Sequence, residues 1–433
     1  VKMRKLRTHV PSCLCALSAL CGELGRTTNV EKKERVVVTG IGAVTALGNC
    51  VAEMWPRLAA GKTGVRRLNG DSLCIPLGAR PDYRDVARFG EVDMCSGLAL
   101  ASAEEALQDA GVSENGLRQT DVVFGASKGG VRSFEAANRR FLERGPAELP
   151  ESFLNDFMTN SACDRIADHF GCGGVRLNFV SACATGIHSI IMAARRVAMG
   201  KSKIVLAGSS EASLTPLMTA AFDRMGVLSH GIDDPFAAMK PYDSHRDGFV
   251  IGEGSGALVV ESLSSALRRG ARVRAEITGW AIGCEAYHVA SMDPSGGSIA
   301  SAIRGALEKA GLTPGDLGYI NGHGTATRQN DVIETRALKL ALGKSAREIP
   351  ISSTKPMTGH LLGAAGSVEA IIAILAIQND FVPPTINLTR ADKECDLNYT
   401  PLVGLSRDIE NALTLNYGFG GQIGVIVLSK ILR

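Results

Sequence analysis

Cys183 stands between an apolar strand, Leu177-Asn178-Phe179-Val180, and a helix carrying Ile187, Ile190, Ile191, Ala194 and Ala198 on one face. A thiol at a helix N-terminus faces the positive end of the dipole, which favours the thiolate and so nucleophilic attack. Its neighbours Ser181, Ala182, Ala184 and Gly186 are small enough for a substrate to approach. His323, in Asn321-Gly322-His323-Gly324-Thr325-Ala326-Thr327, follows a strand and is flanked by glycines. Its ring therefore has room at the carboxyl end of that strand, where α/β enzymes do their chemistry. His360, in Lys355-Pro356-Met357-Thr358-Gly359-His360, opens an almost wholly apolar helix through Ile377. Each of the three, taken alone, also fits an inert structural role. Glu369 projects from the same helix, where an unpaired carboxylate is very costly, so Lys355 in the preceding turn is its natural partner.

Such residues need a scaffold, and composition bounds it. The chain has 433 residues, 45% hydrophobic and 21% charged, enough to bury a large core and too apolar to stay disordered. A formal charge of +3 gives no support to a nucleic-acid binder working through a basic field. The 49 glycines are well above the usual share of about 7% and imply tight turns and close backbone approaches. Eleven cysteines form no regular framework, which points away from zinc and disulfide scaffolds and toward a reducing compartment. No apolar run is long enough to span a bilayer. Residues 1–34 read as an N-terminal extension: Lys2, Arg4, Lys5 and Arg7 precede a short apolar run, Cys13 to Cys21. This is a weak targeting pattern, so the cytoplasm is expected and organelle targeting is left open.

From Arg35 onward the pattern is α/β. Val36-Val37-Val38-Thr39-Gly40 reads as a buried strand, and Ile41-Gly42-Ala43-Val44-Thr45 nearly completes a dinucleotide fingerprint, but Thr45 occupies the third glycine position. Gly252-Glu253-Gly254-Ser255-Gly256 precedes a strand, the wrong order for a phosphate cradle. An internal repeat is more informative. Ala106-Leu107-Gln108-Asp109-Ala110-Gly111 returns as Ala306-Leu307-Glu308-Lys309-Ala310-Gly311, each a helix end closed by glycine and followed by a short strand. Further on, Leu177 to Val180 runs into the turn at Cys183, and Ile349 to Ser352 into Ser353-Thr354-Lys355. The matching order implies two similar α/β halves, 35–284 and 285–433.

At this point the chain resembles the β-ketoacyl-acyl-carrier-protein synthases. The likeness rests on Cys183 in Ser-Ala-Cys-Ala-Thr-Gly, His323 in His-Gly-Thr-Ala-Thr and His360 in Lys-Pro-Met-Thr-Gly-His. Tyr242-Asp243-x-x-Arg246-Asp247-Gly248-Phe249, Val382-Pro383-Pro384-Thr385-Ile386-Asn387-Leu388 and Gly418-Phe419-Gly420-Gly421 extend it. The resemblance implies a thiolase-like duplicated αβαβα five-layer sandwich, usually a homodimer. It implies decarboxylative Claisen condensation of an enzyme-bound acyl chain with malonyl-acyl-carrier protein, acyl and malonyl thioesters being the substrates and acyl-carrier protein the partner. No metal or redox cofactor is then required beyond the carrier's phosphopantetheine. Cys183 would carry the acyl chain, His323 and His360 would hydrogen-bond the enolate, and Lys355 and Glu369 would orient them. The N–H groups of Cys183 and Phe419 would form the oxyanion hole.

Departures from the family pattern bear on substrate and partner. Gln422-Ile423 replaces Thr-Asn after Gly-Phe-Gly-Gly, Tyr417 stands where phenylalanine is common, and Lys128 occupies an acyl-pocket position that is usually small or aliphatic. Lys128 either points inward, disfavouring long saturated chains, or outward as a surface lysine. Glu91 and Asp93 lie where basic residues dock the carrier, leaving Lys62, Arg66 and Arg67 as alternative docking residues against a solvated basic turn. A ketosynthase of a specialised lipid or polyketide pathway, a non-elongating partner subunit and a cysteine acyl hydrolase are the other readings. The hydrolase lacks a Gly-x-Ser/Cys-x-Gly elbow, and a partner subunit would lack the cysteine.

Overall fold

The computed structural model describes residues 34–69 and 72–431; the N-terminal extension inferred above lies, apart from Glu34, outside them. The strands of its large sheet are β1 (Val36–Val44), β2 (Thr120–Gly125), β3 (Arg176–Leu177), β4 (Ile204–Glu211), β5 (Gly254–Ser262), β6 (Ala275–Cys284), β7 (Tyr319–Asn321), β8 (Ile351–Ser352), β9 (Asn411–Gly418) and β10 (Gln422–Ser429). Their spatial order is β8-β7-β9-β10-β6-β1-β5-β4-β2-β3. Divided between β6 and β1, this is one five-strand pattern used twice. Directions repeat as well: β2 is parallel to β3 and β4, and β5 antiparallel to β4 and β1. In the same way β7 is parallel to β8 and β9, and β10 antiparallel to β9 and β6.

Strand pairing bears on the division of the chain. β6 pairs along its length with β10, from Gln422–Cys284 to Ser429–Glu276, and meets β1 at Val37–Glu276 and Val38–Ala275. We therefore propose that the second half begins near Ala275 and not at 285, because β6 is the counterpart of β1.

The helices that matter here are α1 (Met94–Ala110), α2 (Ser161–Phe170), α3 (Thr185–Ala198), α4 (Gly297–Ala310), α5 (Arg328–Leu342) and α6 (Ala365–Asn379). One apolar core joins α3 and α6 to strands of both halves. A second packs α4 and α5 on the outer face of β7, β9 and β10, and a third packs α1 and α2 on β2, β4 and β5. The result is five layers with α3 and α6 in the middle. That position explains the composition of α6: every residue from Ala365 to Ile377 is buried, so no polar face is possible. Residues 362–379 are long and apolar enough to cross a membrane, yet 89% of the span is packed inside the protein.

The sequence repeat has a steric cause. A Cβ on Gly40 would lie 2.1 Å from the Ala106 carbonyl oxygen and 2.7 Å from the Ala110 Cβ. A Cβ on Gly279 would lie 2.1 Å from the Ala306 oxygen and 2.9 Å from the Ala310 Cβ. In each half a helix thus rests directly on a strand glycine, which fixes both the glycine and the alanines. The near-fingerprint at Gly40–Thr45 is therefore packing and not a phosphate loop: β1 runs through it to Val44. Gly111 and Gly311 close α1 and α4 in the left-handed region, as the sequence implied.

Candidate active site

Each reactive side chain sits at an element end. Ala182–Ala184 form a short 3-10 turn ahead of α3, and Ala182 has φ 49°. That strained entrance turns Cys183 toward a cavity of about 540 Å³, which His323, His360, Phe249, Tyr417 and Phe419 also line. His323 lies just past β7, held by its own backbone: the N–H groups of His323 and Gly324 donate to the Glu334 carboxylate at 2.7 and 2.8 Å. His360 follows the short helix Lys355–Thr358, and its backbone N–H donates to the Val250 carbonyl at 2.8 Å. The two imidazoles meet edge to face with centroids 5.5 Å apart. Phe249 packs on His360 at 5.0 Å and Tyr417 on His323 at 5.2 Å. The structure thus brings Cys183 and both histidines to one cavity.

The hydrogen bonds assign the tautomers. The Asn416 side-chain amide donates to His323 Nδ1 at 3.2 Å, and the Leu362 backbone N–H approaches His360 Nδ1 at 3.4 Å. Both Nδ1 atoms accept, so both Nε2 atoms carry the proton. Burial, reinforced by the charge of Lys355, holds both imidazoles well below the ordinary histidine range. They are neutral donors.

Lys355 and Glu369 pair as expected, Nζ to Oε1 at 2.5 Å, both side chains nearly inaccessible. Asn416 donates a second bond to Glu369, at 2.7 Å. The carboxylate therefore reaches His323 through Asn416. Burial pushes the Glu369 carboxyl up, opposed by Lys355 and Asn416.

Cys183 departs from the expectation of an activated thiolate. Burial raises its pKa to about 11, outweighing Lys128 and Lys355, which pull it down. The helix N-terminus is present, but the thiol is desolvated.

Phe419 is partly buried and packs in the apolar cluster that contains Cys183. A Cβ on Gly418 would come within 3.1 Å of the Cys183 nitrogen, so the Gly418–Phe419 backbone passes beside that N–H. The Gln422-Ile423 departure falls where β10 begins, with Ile423 buried and its carbonyl bonded to the His188 ring at 2.9 Å.

Lys128 is neither fully inward nor a free surface lysine. Its side chain is 24% exposed, its Nζ donates to Ser127 Oγ at 2.7 Å, and it lies 3.8 Å from the wholly buried Glu211. Lys62, Arg66 and Arg67 are exposed. Asp93 is not part of a docking surface: it is buried, caps α1 through the Cys95 N–H and bonds Ser133. Glu91 is exposed.

Sequence reasoning missed Asn416, Glu334 and Glu211. Asn416 had a signal, a polar residue inside the apolar run of β9. Glu334 had another, since Asp331, Glu334 and Leu338 share the buried face of α5. The Tyr242–Phe249 motif is largely a brace. Asp243 accepts from the backbone of Thr389 and Arg390, and Arg246 donates to the Thr327 and Arg328 carbonyls beyond His323.

Known proteins carry the same frame. Residues 84–266 match the beta-ketoacyl synthase N-terminal domain and residues 274–389 its C-terminal domain. A 3-oxoacyl-[acyl-carrier-protein] synthase 2 of Synechocystis is 40% identical over 414 residues, covering 93% of this chain and 99% of that protein. Its namesake from Coxiella burnetii is 36% identical, covering 92% and 99%. Among solved structures, a type II polyketide ketosynthase in complex with its acyl-carrier protein and bound to a hexaketide superposes with a TM-score of 0.86. It is 34% identical, covering 93% of this chain and all of that one. A beta-ketoacyl synthase from Burkholderia phymatum gives a TM-score of 0.84 at 33% identity, covering 92% and 100%. The duplicated five-layer architecture is that of the thiolase-fold ketosynthases, and the chain belongs to the beta-ketoacyl synthase family.

Proposed function

We propose that this chain is a 3-oxoacyl-acyl-carrier-protein synthase, an acyltransferase that condenses an acyl chain with a malonyl unit. The observation that carries the reading is the meeting of one thiol and two neutral Nε2–H donors in a single cavity. Cys183 loses its proton and attacks an acyl thioester; the carrier thiol leaves and the chain stays on the sulfur. In the malonyl thioester the bond to the carboxylate breaks, carbon dioxide departs, and the electron pair forms an enolate. His323 and His360 donate to the enolate oxygen, which suits protonated Nε2 atoms on neutral rings. The enolate carbon attacks the acyl-Cys183 carbonyl. The oxyanion so formed is held by the N–H groups of Cys183 and Phe419, and its collapse breaks the carbon–sulfur bond, expelling the Cys183 thiolate and leaving a 3-oxoacyl chain two carbons longer on the carrier that brought the malonyl unit.

Lys355 and Glu369 act through Asn416 on His323, as positioning residues. The thiol proton leaves with the first carrier thiol, the electrons come from the malonyl carbon–carbon bond, and a proton from water restores the Cys183 thiol, so the reading calls on no metal or redox group, only on phosphopantetheine-borne thioesters. Acyl-carrier protein is the macromolecular partner, a second copy of the chain the usual one, and the cytoplasm the place. Lys62, Arg66 and Arg67 are offered as docking residues for the acidic carrier. A non-elongating partner subunit fits less well, because the nucleophile and both enolate donors are assembled. Intact-mass detection of acylated Cys183, followed by a 3-oxoacyl product when malonyl-carrier is added, tests the proposal. Free acid as the sole product would replace it with a hydrolase.

A further inference from the structure

The Lys128 cation, at the edge of the apolar cluster that contains Cys183, is held by a built site. Glu211, at the end of β4, is wholly buried. Its Oε2 accepts from the Ser127 N–H at 3.2 Å, the Gly363 N–H at 3.1 Å and the Ser127 hydroxyl, and its Oε1 accepts from the Ser213 hydroxyl. This carboxylate fixes the Ser127-Lys128 turn. The Lys128 ammonium then lies 5.5 Å from the centroid of Phe222, which shares an apolar cluster with Cys183, Phe249 and Leu362. Its charge is felt at both Cys183 and His360. An ammonium has three donors. One serves Ser127 Oγ, and Glu211 at 3.8 Å is beyond hydrogen-bond reach, so donors remain for a ligand.

An acyl chain on Cys183 has this apolar cluster as its neighbour, with the ammonium at its edge. A saturated chain gives those donors nothing and desolvates them, whereas a carbonyl or hydroxyl oxygen accepts a charge-assisted bond. Resting on the condensing-enzyme reading above, we propose that Lys128 is a specificity-determining residue that selects acyl chains bearing an oxygen function over saturated chains of equal length.

The test is a competition on the full-length protein. Equimolar 3-oxoacyl and saturated acyl donors of one chain length, both on the same carrier, compete for Cys183, and intact mass reads the two adducts. The parent is expected to favour the oxygenated chain by about tenfold, the scale of one hydrogen bond to a charged group. Lys128→Met should bring the ratio of the two adducts to about one, whatever the total acylation, and Lys128→Arg should keep part of the preference. A parent that prefers the saturated chain, or a Lys128→Met protein with the parental ratio, overturns the inference. Absence of any Cys183 adduct from either donor overturns the condensing-enzyme reading itself, so the two failures are told apart.

Discussion

Two turns in this molecule are built alike and used differently. Ala182-Cys183-Ala184 precedes α3, and Leu362-Gly363-Ala364 precedes α6. Ala182 and Leu362 both have φ 49°, and each turn runs into a helix whose second residue is a glycine. Those glycines, Gly186 and Gly366, allow the helices to meet: a Cβ on either would lie 2.6 Å from a backbone nitrogen of the other helix, Ser367 or Ile187. Cys183 thus corresponds to Gly363. Strand pairing extends the match, since Leu177–Val123–Ala207 is mirrored by Ser352–Asn321–Thr414. Two residues further along, Gly125 corresponds to His323, and four along from Ala207 and Thr414, Glu211 corresponds to Gly418.

The difference is instructive. At the second turn the Gly363 N–H is occupied by the Glu211 carboxylate. At the first turn the corresponding Gly418 carries no carboxylate to bond the Cys183 N–H, which is one of the donors proposed above for the oxyanion. Each half therefore supplies part of the site and glycine removes the rest: Cys183 with Gly125, His323 with Gly363. Duplication provided two strained turns: one carries the Cys183 thiol proposed as the nucleophile, and the other is plugged by Glu211.

The comparison breaks most sharply at the nucleophile. Cys183→Ala makes the first turn as inert as the second, and condensation should fall by at least about 10⁴-fold with the fold intact; circular dichroism and product assay check this. Any retained elongation would mean that another group carries the chain.

No histidine corresponds to His323 or His360 in the first half, where Gly125 stands opposite His323, so their loss cannot be covered by symmetry. His323→Ala and His360→Ala should each slow malonyl decarboxylation by about 10² to 10³ while Cys183 still acylates. Equal loss of both steps would assign the histidine to structure instead.

Glu369 corresponds to Ser189 of α3, which bonds only its own helix at the Thr185 carbonyl. Removing Ser189 should therefore matter little, whereas Glu369→Ala strands Lys355 and should cost about 3 kcal/mol in urea unfolding. Matched stabilities for the two variants would refute the asymmetry.

With the thiol at about 11, its reactive fraction rises with pH. Iodoacetamide labelling of Cys183, followed by peptide mapping, should quicken by about tenfold per unit from pH 7 to 9, since thiolate is the minor species below the pKa. The histidines, lowered well below 6.5, stay neutral in that range and should leave decarboxylation by the acylated enzyme flat. A plateau in labelling above pH 7 would indicate a thiolate stabilised as the helix dipole alone suggests.

The smallest effect concerns the surface. Reversing Lys62, Arg66 and Arg67 should raise KM for acyl-carrier by about threefold to tenfold at low salt and flatten its salt dependence. Unchanged kinetics would remove these residues from docking.

Much of this was legible before any coordinate. Cys183, His323, His360, Lys355 and Glu369 stand out because their local contexts are unusual: small residues round a thiol, glycines round an imidazole, a carboxylate in an apolar helix. The repeat was visible for a similar reason, as a helix resting on a strand glycine admits few residues at Ala106, Ala110, Ala306 and Ala310. The counterpart of the Cys183 turn was misplaced at Ser353–Lys355, because the residues carrying Lys355 and His360 intervene between β8 and the matching turn.

Sequence by itself determined the element types, the duplication and the reactive side chains, since each depends on neighbours within a few residues or one helical repeat. Tertiary structure alone decided what those side chains are. The thiol is protonated because layers distant in the chain exclude water from it. The histidines are neutral because burial and the charge of Lys355 disfavour the imidazolium, and the proton sits on Nε2 because Asn416 and Leu362 donate to Nδ1. Lys128 reaches the Phe222 ring because Glu211, 83 positions along, anchors its turn. Protonation, tautomer and orientation follow from solvation and partners, and these exist only once distant segments have packed.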